Sequence, residues 1–98
     1  MTLDDVRRAA IPVCAQYAVK RLDLFGSLAR GEQQPDSDVD LLVEFEEPRS
    51  DPARCYFGLL HHLEDVLGCR VDLLSAARLR NPHLRRTVLR DCVRIYGG

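Results

Sequence analysis

The spacing of hydrophobic residues changes several times along the chain and predicts an alternation of helices and strands. From Val6 to Tyr17 the apolar residues recur every three or four positions, which is typical of an amphipathic helix. Thr2 precedes this pattern and is a suitable N-cap. Pro12 removes a backbone hydrogen bond from a helix interior, so we expect a kink or a break near Ile11, and a second helix could start at Pro12.

Two apolar runs, at 19–25 and 38–45, predict the first two strands. Between them, 26–31 is expected to be a short helix that Gly31 ends. The following segment, 32–37, contains Pro-Asp and predicts a turn-rich loop. Because this connection is short, the two strands are free to pair in antiparallel fashion.

A longer helix is predicted over 52–67, where Ser50 or Asp51 can act as the N-cap and Pro52 occupies the first position. Gly68 is expected to end it. Its apolar face is expected to consist of Tyr56, Leu59, Leu60, Leu63, Val66 and Leu67. We interpret these residues as core rather than as part of a functional site.

The last third of the chain predicts a strand at 70–74 and a final helix that begins at Asn81-Pro82. Residues 93–96 either extend this helix or form a short strand. The buried stripe of the final helix is expected to be Leu84, Val88, Leu89 and Cys92. The order of elements indicates one α/β (α+β) domain over 1–98, with a small mixed sheet and flanking helices.

Three aspartates stand out against this pattern. Asp38 and Asp40 lie two positions apart in a predicted strand, so their side chains point to the same face. Asp72 interrupts an apolar strand, which is reasonable if the third strand lies beside the second and brings the three acids together. Mg²⁺ relieves the repulsion between such carboxylates and shares its coordination shell with phosphates. The ordinary alternative is a set of solvated acids at strand ends.

Gly26-Ser27 follows the first predicted strand and begins the short helix. A glycine lets the backbone approach a ligand closely, exposed amides at a helix start favour phosphate, and the Ser27 hydroxyl can donate another hydrogen bond. Gly-Ser after a strand is also a common turn. Combined with the three acids, it predicts a phosphate-transfer site.

Charge and cysteine usage narrow the function classes. The net charge is −1, which argues against a surface that binds nucleic acid non-specifically. The sequence has no run of about 20 apolar residues and no signal peptide, so neither membrane insertion nor export is predicted. His61-His62 has no thiol or acidic partner at a metal-ligand spacing, so zinc is not expected. No CxxC motif occurs, and we expect buried free thiols of a cytoplasmic protein at Cys14, Cys55, Cys69 and Cys92.

The motifs together resemble a known family. LFGSLARGE at 24–32, followed by DSDVDLLV at 36–43, a later strand acid at Asp72 and VRIY at 93–96, is similar to the minimal nucleotidyltransferases, or MNT proteins, of the DNA polymerase β superfamily. The similarity covers nearly the whole chain, and no motif position departs from the family pattern.

The resemblance implies an enzyme and a site. Gly26 and Ser27 would hold the triphosphate of ATP, and Asp38 and Asp40 would bind two Mg²⁺ ions. Asp72 would be the third metal-binding carboxylate and the catalytic base. Arg30 would either contact phosphate or form a structural salt bridge, and Glu32 matches the same family segment.

The resemblance also implies a partner. MNT proteins are commonly antitoxins that silence a HEPN-domain ribonuclease toxin by moving AMP from ATP onto a toxin tyrosine. A 98-residue chain has few apolar residues left for an acceptor pocket, which agrees with an acceptor supplied by another protein. Two alternatives stay open: a non-catalytic antitoxin that occludes the toxin, and a small-molecule nucleotidyltransferase of the aminoglycoside-modifying kind.

Overall fold

Four strands form one mixed sheet in the order β3-β2-β1-β4. The computed structural model describes residues 1–31, 38–48 and 50–97. In chain order the elements are α1 (Leu3–Cys14), β1 (Val19–Phe25), α2 (Gly26–Ala29), β2 (Val39–Phe45), α3 (Pro52–Leu67), β3 (Val71–Ser75), a 3₁₀ turn (Ala76–Arg78), α4 (Pro82–Asp91) and β4 (Val93–Tyr96). β1 is antiparallel to β2 and β4, and β2 is parallel to β3. The predicted α+β fold with a mixed sheet is confirmed, and residues 93–96 form a strand.

Helix α1 begins with a capping box. The Asp5 amide donates to the Thr2 hydroxyl at 3.2 Å, and the Thr2 amide donates to the Asp5 carboxylate at 2.8 Å. The break expected near Ile11 is wrong, because α1 continues through Pro12 to Cys14. Pro12 lies in the last turn of α1, which ends two residues later. Its missing N–H therefore removes one hydrogen bond near the end of the helix and does not break it.

Helix α3 has the predicted bounds and both predicted caps. The Asp51 carboxylate accepts from the Arg54 amide at 3.1 Å, and Gly68 ends the helix in the left-handed region at φ 68°. Leu59, Leu63 and Leu67 are buried, as the periodicity predicts. Val66 is wrong as a core residue, since it is 41% exposed and lies at the margin of the buried stripe.

The main hydrophobic core lies between one face of the sheet and the helices α1 and α3. Because side chains alternate along a strand, every second residue of β1, β2 and β3 contributes to it. Its strand residues include Leu22, Leu24, Val39, Leu41, Val43, Val71 and Leu73, and its helix residues include Val6, Ala10, Val13, Cys14, Leu59 and Leu63. Burial raises the pKa of the Cys14 thiol to about 12.

Helix α4 covers the opposite face of the sheet through a much smaller core of Leu42, Leu79 and Val88. The predicted buried stripe of α4 is therefore only partly right. Val88 is buried and Cys92 is half-buried, but Leu84 is 47% exposed and Leu89 is 44% exposed. The apolar cluster on this face is small, and the charged Arg21, Asp23 and Glu44 lie beside it, so the leucines that flank Val88 are only partly covered.

Side chains from the helices cover both edges of the sheet. At the β3 edge, the Tyr56 hydroxyl donates to the Leu73 carbonyl at 2.6 Å, and the Val71 amide donates to the Glu64 carboxylate at 3.1 Å. At the β4 edge, the Arg7 guanidinium donates to the Arg94 carbonyl at 3.1 Å. Such pairing of edge groups limits edge-to-edge association with another sheet.

The four cysteines are free thiols, as predicted, although only Cys14 is buried and the others are half-buried. Across the described residues, no helix combines the length and the hydropathy that crossing a membrane requires.

Candidate active site

Asp40 and Asp72 are direct neighbours on the adjacent parallel strands β2 and β3. The two α-carbons of such a pair lie about 5 Å apart. Asp38 directly precedes β2, which begins one residue later than predicted, and it is exposed at the same end of the sheet. The structure therefore brings together the three acids that the sequence singled out, and it confirms that the third strand lies beside the second.

Asp40 is the least exposed of the three aspartates, and the pKa of its carboxyl is raised. Partial burial raises the pKa of its carboxyl, and the charges of Asp72 and then Asp38 raise it further. The nearby Arg30 guanidinium acts in the opposite direction and lowers the pKa of Asp40. The protein thus holds like charges together at this end of the sheet, a situation that a bound cation or a proton relieves.

Gly26 lies against the carboxylate of Asp40. Phe25 pairs with Asp40 across β1 and β2, and the chain then turns into α2 at Gly26 with a φ of 77°. A Cβ at this position would collide with the Asp40 side chain. Both the positive φ and the close approach require glycine, so the Gly-Ser motif and the Asp-x-Asp motif form one packed unit.

Arg30 lies directly after α2 and pairs with an acid that the sequence analysis did not single out. Its Nη1 atom is 3.7 Å from the Asp91 carboxylate at the end of α4. Asp91 is 61 residues away in the chain, so no local spacing indicates the contact. The salt-bridge alternative for Arg30 is observed, while a phosphate contact stays a prediction.

Part of the predicted site cannot be located. Glu32 and the loop at 32–37 lie outside the described residues. Ser27 lies in the first turn of α2, and its side chain is also outside the description. The hydroxyl contact predicted for Ser27 therefore stays a prediction.

The donor chemistry of the three aspartates fits Mg²⁺. Carboxylate oxygens are hard ligands of the kind Mg²⁺ prefers, and the raised pKa of Asp40 reflects mutual repulsion that a cation would offset. Within residues 1–31, 38–48 and 50–97, no three His, Cys, Asp or Glu side chains already converge on one metal position. The metal-binding role of the three aspartates therefore stays a prediction.

Asp23 is a buried charge that the sequence analysis missed. It is 3% exposed and lies on the same face of the sheet as Asp40. Its carboxylate accepts from the Arg94 Nε at 2.9 Å and from the Arg21 Nε at 3.1 Å. An acid inside an apolar strand was available as a signal, as it was for Asp72. Here the two arginines neutralise the acid, so the same signal marks a structural ion cluster.

A cavity of about 690 Å³ lies at the other end of β2 and β3, beside Phe45, Ser75 and Phe57. None of the three aspartates lines it. The candidate site is therefore the open acidic end of the sheet and not this cavity.

Comparison with known proteins agrees with this geometry. Residues 7–95 match the nucleotidyltransferase domain family. The protein adenylyltransferase MntA of Thermococcus cleftensis is 42% identical over 78 residues, which span 80% of this chain and 76% of that protein. A solved structure described as a candidate minimal nucleotidyltransferase is 43% identical, covers 95% of both chains and superposes with a TM-score of 0.79.

A more distant structure shares the fold alone. It is a chain from the complex of a tri-AMPylated Shewanella oneidensis HEPN toxin with MNT antitoxin, at 20% identity and a TM-score of 0.69. The match covers 99% of this chain and 74% of that one. Together, the family match, the identity to the minimal enzyme and the paired Gly-Ser and Asp-x-Asp motifs show that this chain is a nucleotidyltransferase of the minimal nucleotidyltransferase family.

Proposed function

We propose that this nucleotidyltransferase moves AMP from Mg-ATP to a tyrosine of a HEPN-domain ribonuclease toxin and acts as the antitoxin of that protein. The observation that carries the proposal is the position of Asp40, which lies between Gly26 and Asp72 and unites the phosphate-binding turn with the acids. The MntA relative, a protein adenylyltransferase, supports AMP transfer to protein. The complex of an AMPylated HEPN toxin with MNT antitoxin supports the choice of acceptor.

In this proposal the donor nucleotide lies at the acidic end of the sheet. Gly26 and Ser27 hold the triphosphate through backbone amides and the Ser27 hydroxyl. Arg30 contributes positive charge beside them. Asp38, Asp40 and Asp72 would hold Mg²⁺, which supplies neutralisation of the phosphate charge that develops during transfer.

The transfer step makes one bond and breaks one. The tyrosine hydroxyl oxygen attacks the α-phosphorus of ATP in line with the departing group, and the bond from that phosphorus to the bridging β-phosphate oxygen breaks. Pyrophosphate leaves, and the hydroxyl proton passes to the carboxylate of Asp72, which is exposed and open to an incoming acceptor. Asp40 is held in place by its contact with Gly26, so the residues act mainly through positioning and electrostatics.

The test uses a HEPN-domain protein that is co-expressed and purified with this chain. With ATP labelled in the α-phosphate, the wild-type protein is expected to label the toxin. The double variant Asp38→Asn with Asp40→Asn is expected to label it at least about 100-fold more slowly. A matched control replaces two exposed acids away from the site, Glu46→Gln with Asp65→Asn, and should label at the wild-type rate.

Neutralisation of the toxin separates catalysis from occlusion. If transfer is required, cells that carry the toxin and the double Asp variant stop growing, whereas cells with the control variant grow. Continued protection by the double variant, with circular dichroism showing an intact fold, would instead establish an antitoxin that works by binding. An unlabelled toxin in the presence of intact wild-type protein would refute the proposed reaction.

A further inference from the structure

Arg70 directly precedes β3 at the acidic end of the sheet. The parallel strands β2 and β3 pair Val39 with Val71, and the Val39 amide donates to the Arg70 carbonyl at 3.0 Å. The same register, continued by one residue, sets Arg70 beside Asp38. Because side chains two positions apart share a face of a strand, Arg70 lies on the same face as Asp72. An arginine therefore borders the three aspartates without a part in the reaction described above.

The side chain of Arg70 is available to a ligand. It is exposed, and among the described residues no side-chain hydrogen bond or ion pair holds it. By contrast, Arg30, on the β1 side of Asp40, has its guanidinium 3.7 Å from the Asp91 carboxylate. A guanidinium that the fold does not engage can bind an anion, and its planar fork of donors matches the oxygens of a phosphate.

The position of Arg70 in the sheet indicates which phosphate it meets. Gly26 follows β1, Asp40 lies on β2, and Arg70 precedes β3, so the phosphate-binding turn and Arg70 lie on opposite sides of Asp40. Adjacent strands are about 4.8 Å apart, so about 10 Å of sheet separates β1 from β3. In the proposed function, pyrophosphate departs at the turn and the acceptor hydroxyl loses its proton to Asp72. Arg70 is therefore on the acceptor side, next to the phosphate that is transferred.

We propose that Arg70 binds the α-phosphate of the nucleotide from the acceptor side, an inference that rests on the proposed function for the direction of transfer. Charge favours this phosphate over the acceptor hydroxyl, because the hydroxyl is neutral whereas the α-phosphate oxygens are anionic throughout transfer. Gly26 and Ser27 then hold the departing pyrophosphate, and Arg70 holds the group that moves. A donor fixed there before the reaction stabilises the transition state without rearrangement.

Binding of nucleotide to the chain alone tests this role of Arg70. By isothermal titration calorimetry with Mg²⁺, Arg70→Gln is expected to weaken binding of an ATP analogue with a methylene bridge between its α- and β-phosphates at least fivefold. Binding of pyrophosphate should stay within twofold of wild type, because pyrophosphate fills only the side of the leaving group. Arg70→Lys keeps the charge but loses the fork, so its affinity for the analogue should lie between those of wild type and Arg70→Gln.

Arg78→Gln is the matched control. Arg78 is also exposed, but it lines the cavity at the opposite end of β3. This variant loses the same charge and should bind both ligands as the wild-type protein does. Equal weakening of analogue binding by Arg70→Gln and Arg78→Gln would overturn the inference, since it would reflect net charge alone. Equal weakening of analogue and pyrophosphate by Arg70→Gln would also overturn it.

Transfer kinetics separate contact with the nucleotide from contact with the acceptor. When a HEPN-domain protein is labelled, the kcat of Arg70→Gln is expected to fall at least tenfold, with the KM for the acceptor within twofold of wild type. A raised KM for the acceptor together with normal analogue binding would show that Arg70 contacts the acceptor protein, and would overturn the inference.

The binding measurement needs no acceptor, so failure of the inference differs from failure of the proposed function. If Arg70→Gln binds the analogue and labels the acceptor as wild type does, the inference is wrong and the proposed function is unaffected. If analogue binding depends on Arg70 as expected but no HEPN-domain protein is labelled, the choice of acceptor is wrong and the contact of Arg70 with the α-phosphate is retained. A wild-type protein that binds neither ligand with Mg²⁺ would refute both.

Discussion

The two faces of the central sheet differ in almost every physical property. The face toward α1 and α3 is a continuous apolar core, with Leu22, Leu24, Leu41 and Leu63 fully buried. The face toward α4 carries Asp23, Asp40 and several other charged groups, and its apolar cluster centres on Leu42, Leu79 and Val88. Stability thus comes mainly from one face, which leaves the other free to hold charges close together for chemistry.

Within the face toward α4, one acid serves the fold and another does not. Asp23 is neutralised by Arg21 and Arg94 and has become a structural element. Asp40 lies near Asp38 and Asp72, which raise its pKa, and the guanidinium of Arg30 opposes their effect. An acid that is kept near like charges does not help the fold, and this supports a role for Asp40 in binding or catalysis.

The largest difference between the faces should appear in stability. Leu63→Ala removes a fully buried side chain between α3 and the sheet and is expected to lower the free energy of unfolding by about 2–5 kcal/mol. Leu89→Ala makes the same chemical change at a residue that is 44% exposed on α4, and less than about 1 kcal/mol is expected. Urea denaturation measures both, and similar losses would show that the faces are equally important to the fold.

The next effect should appear in activity at the junction of the two motifs. Gly26→Ala places a methyl group against the Asp40 carboxylate and should slow AMP transfer about 100-fold, because the acid must move. Gly31→Ala is the matched control, since Gly31 also has a positive φ, 73°, but among the described residues, its chain neighbours aside, no heavy atom lies within 4 Å of the added Cβ. Equal rates for the two variants would mean that backbone strain, and not contact with Asp40, explains the need for glycine.

A smaller effect is expected from the contact between α4 and α2. Asp91→Asn weakens the 3.7 Å ion pair that holds Arg30, and exposed pairs of this kind contribute about 0.2–1 kcal/mol. The KM for ATP should therefore rise by no more than about fivefold, with the kcat nearly unchanged. Asp65→Asn on α3 is the control. A large fall in kcat with no change in KM would argue against a positioning role for Asp91.

The smallest effect concerns the stability cost of Asp40 itself. The pKa of Asp40 is raised above its usual 3.8, so the folded state favours the protonated carboxyl. This contribution is fully present below pH 3.8 and is lost as the pH rises through the raised pKa. Without metal, Asp40→Asn should therefore raise the Tm at pH 7. A stability change of 1 kcal/mol would shift the Tm by about 4–8 °C, and the rise should be smaller than this because solvent screens the charges.

The gain in Tm from Asp40→Asn should shrink as the pH is lowered toward 3.8. Differential scanning calorimetry in the presence of a chelator follows the difference between the two proteins. A variant that is less stable than wild type at pH 7 would show that Asp40 makes a favourable contact in the fold, contrary to the interpretation of this face.

Local patterns predicted the secondary structure well because the deciding interactions are local. The caps at Thr2, Asp51 and Gly68, and the alternation along β2, involve residues within a few positions of each other. The proximity of Asp40 and Asp72 could also be predicted, because burial of a carboxylate in an apolar strand is unfavourable unless a partner or ligand offsets it.

The errors about α4 arose because burial there depends on a distant surface. The spacing of hydrophobic residues in α4 is the same whether Leu84 and Leu89 face an apolar or a polar sheet. The sequence of α4 alone could therefore not reveal that these leucines are exposed. The pairing of Arg30 with Asp91 likewise depends on the packing of α4 against α2.

The most direct test of nucleotidyl transfer identifies which phosphate of ATP reaches the acceptor. The wild-type protein and a HEPN-domain protein, the acceptor of the proposed reaction, are incubated with Mg-ATP labelled in either the α- or the γ-phosphate, and the labelled acceptor is quantified after denaturing electrophoresis. We expect the α-label on the acceptor, no γ-label there, and loss of the signal with Asp40→Asn. Transfer of the γ-label, or undiminished α-label with Asp40→Asn, would contradict the assignment of this acidic face as a nucleotidyl-transfer site.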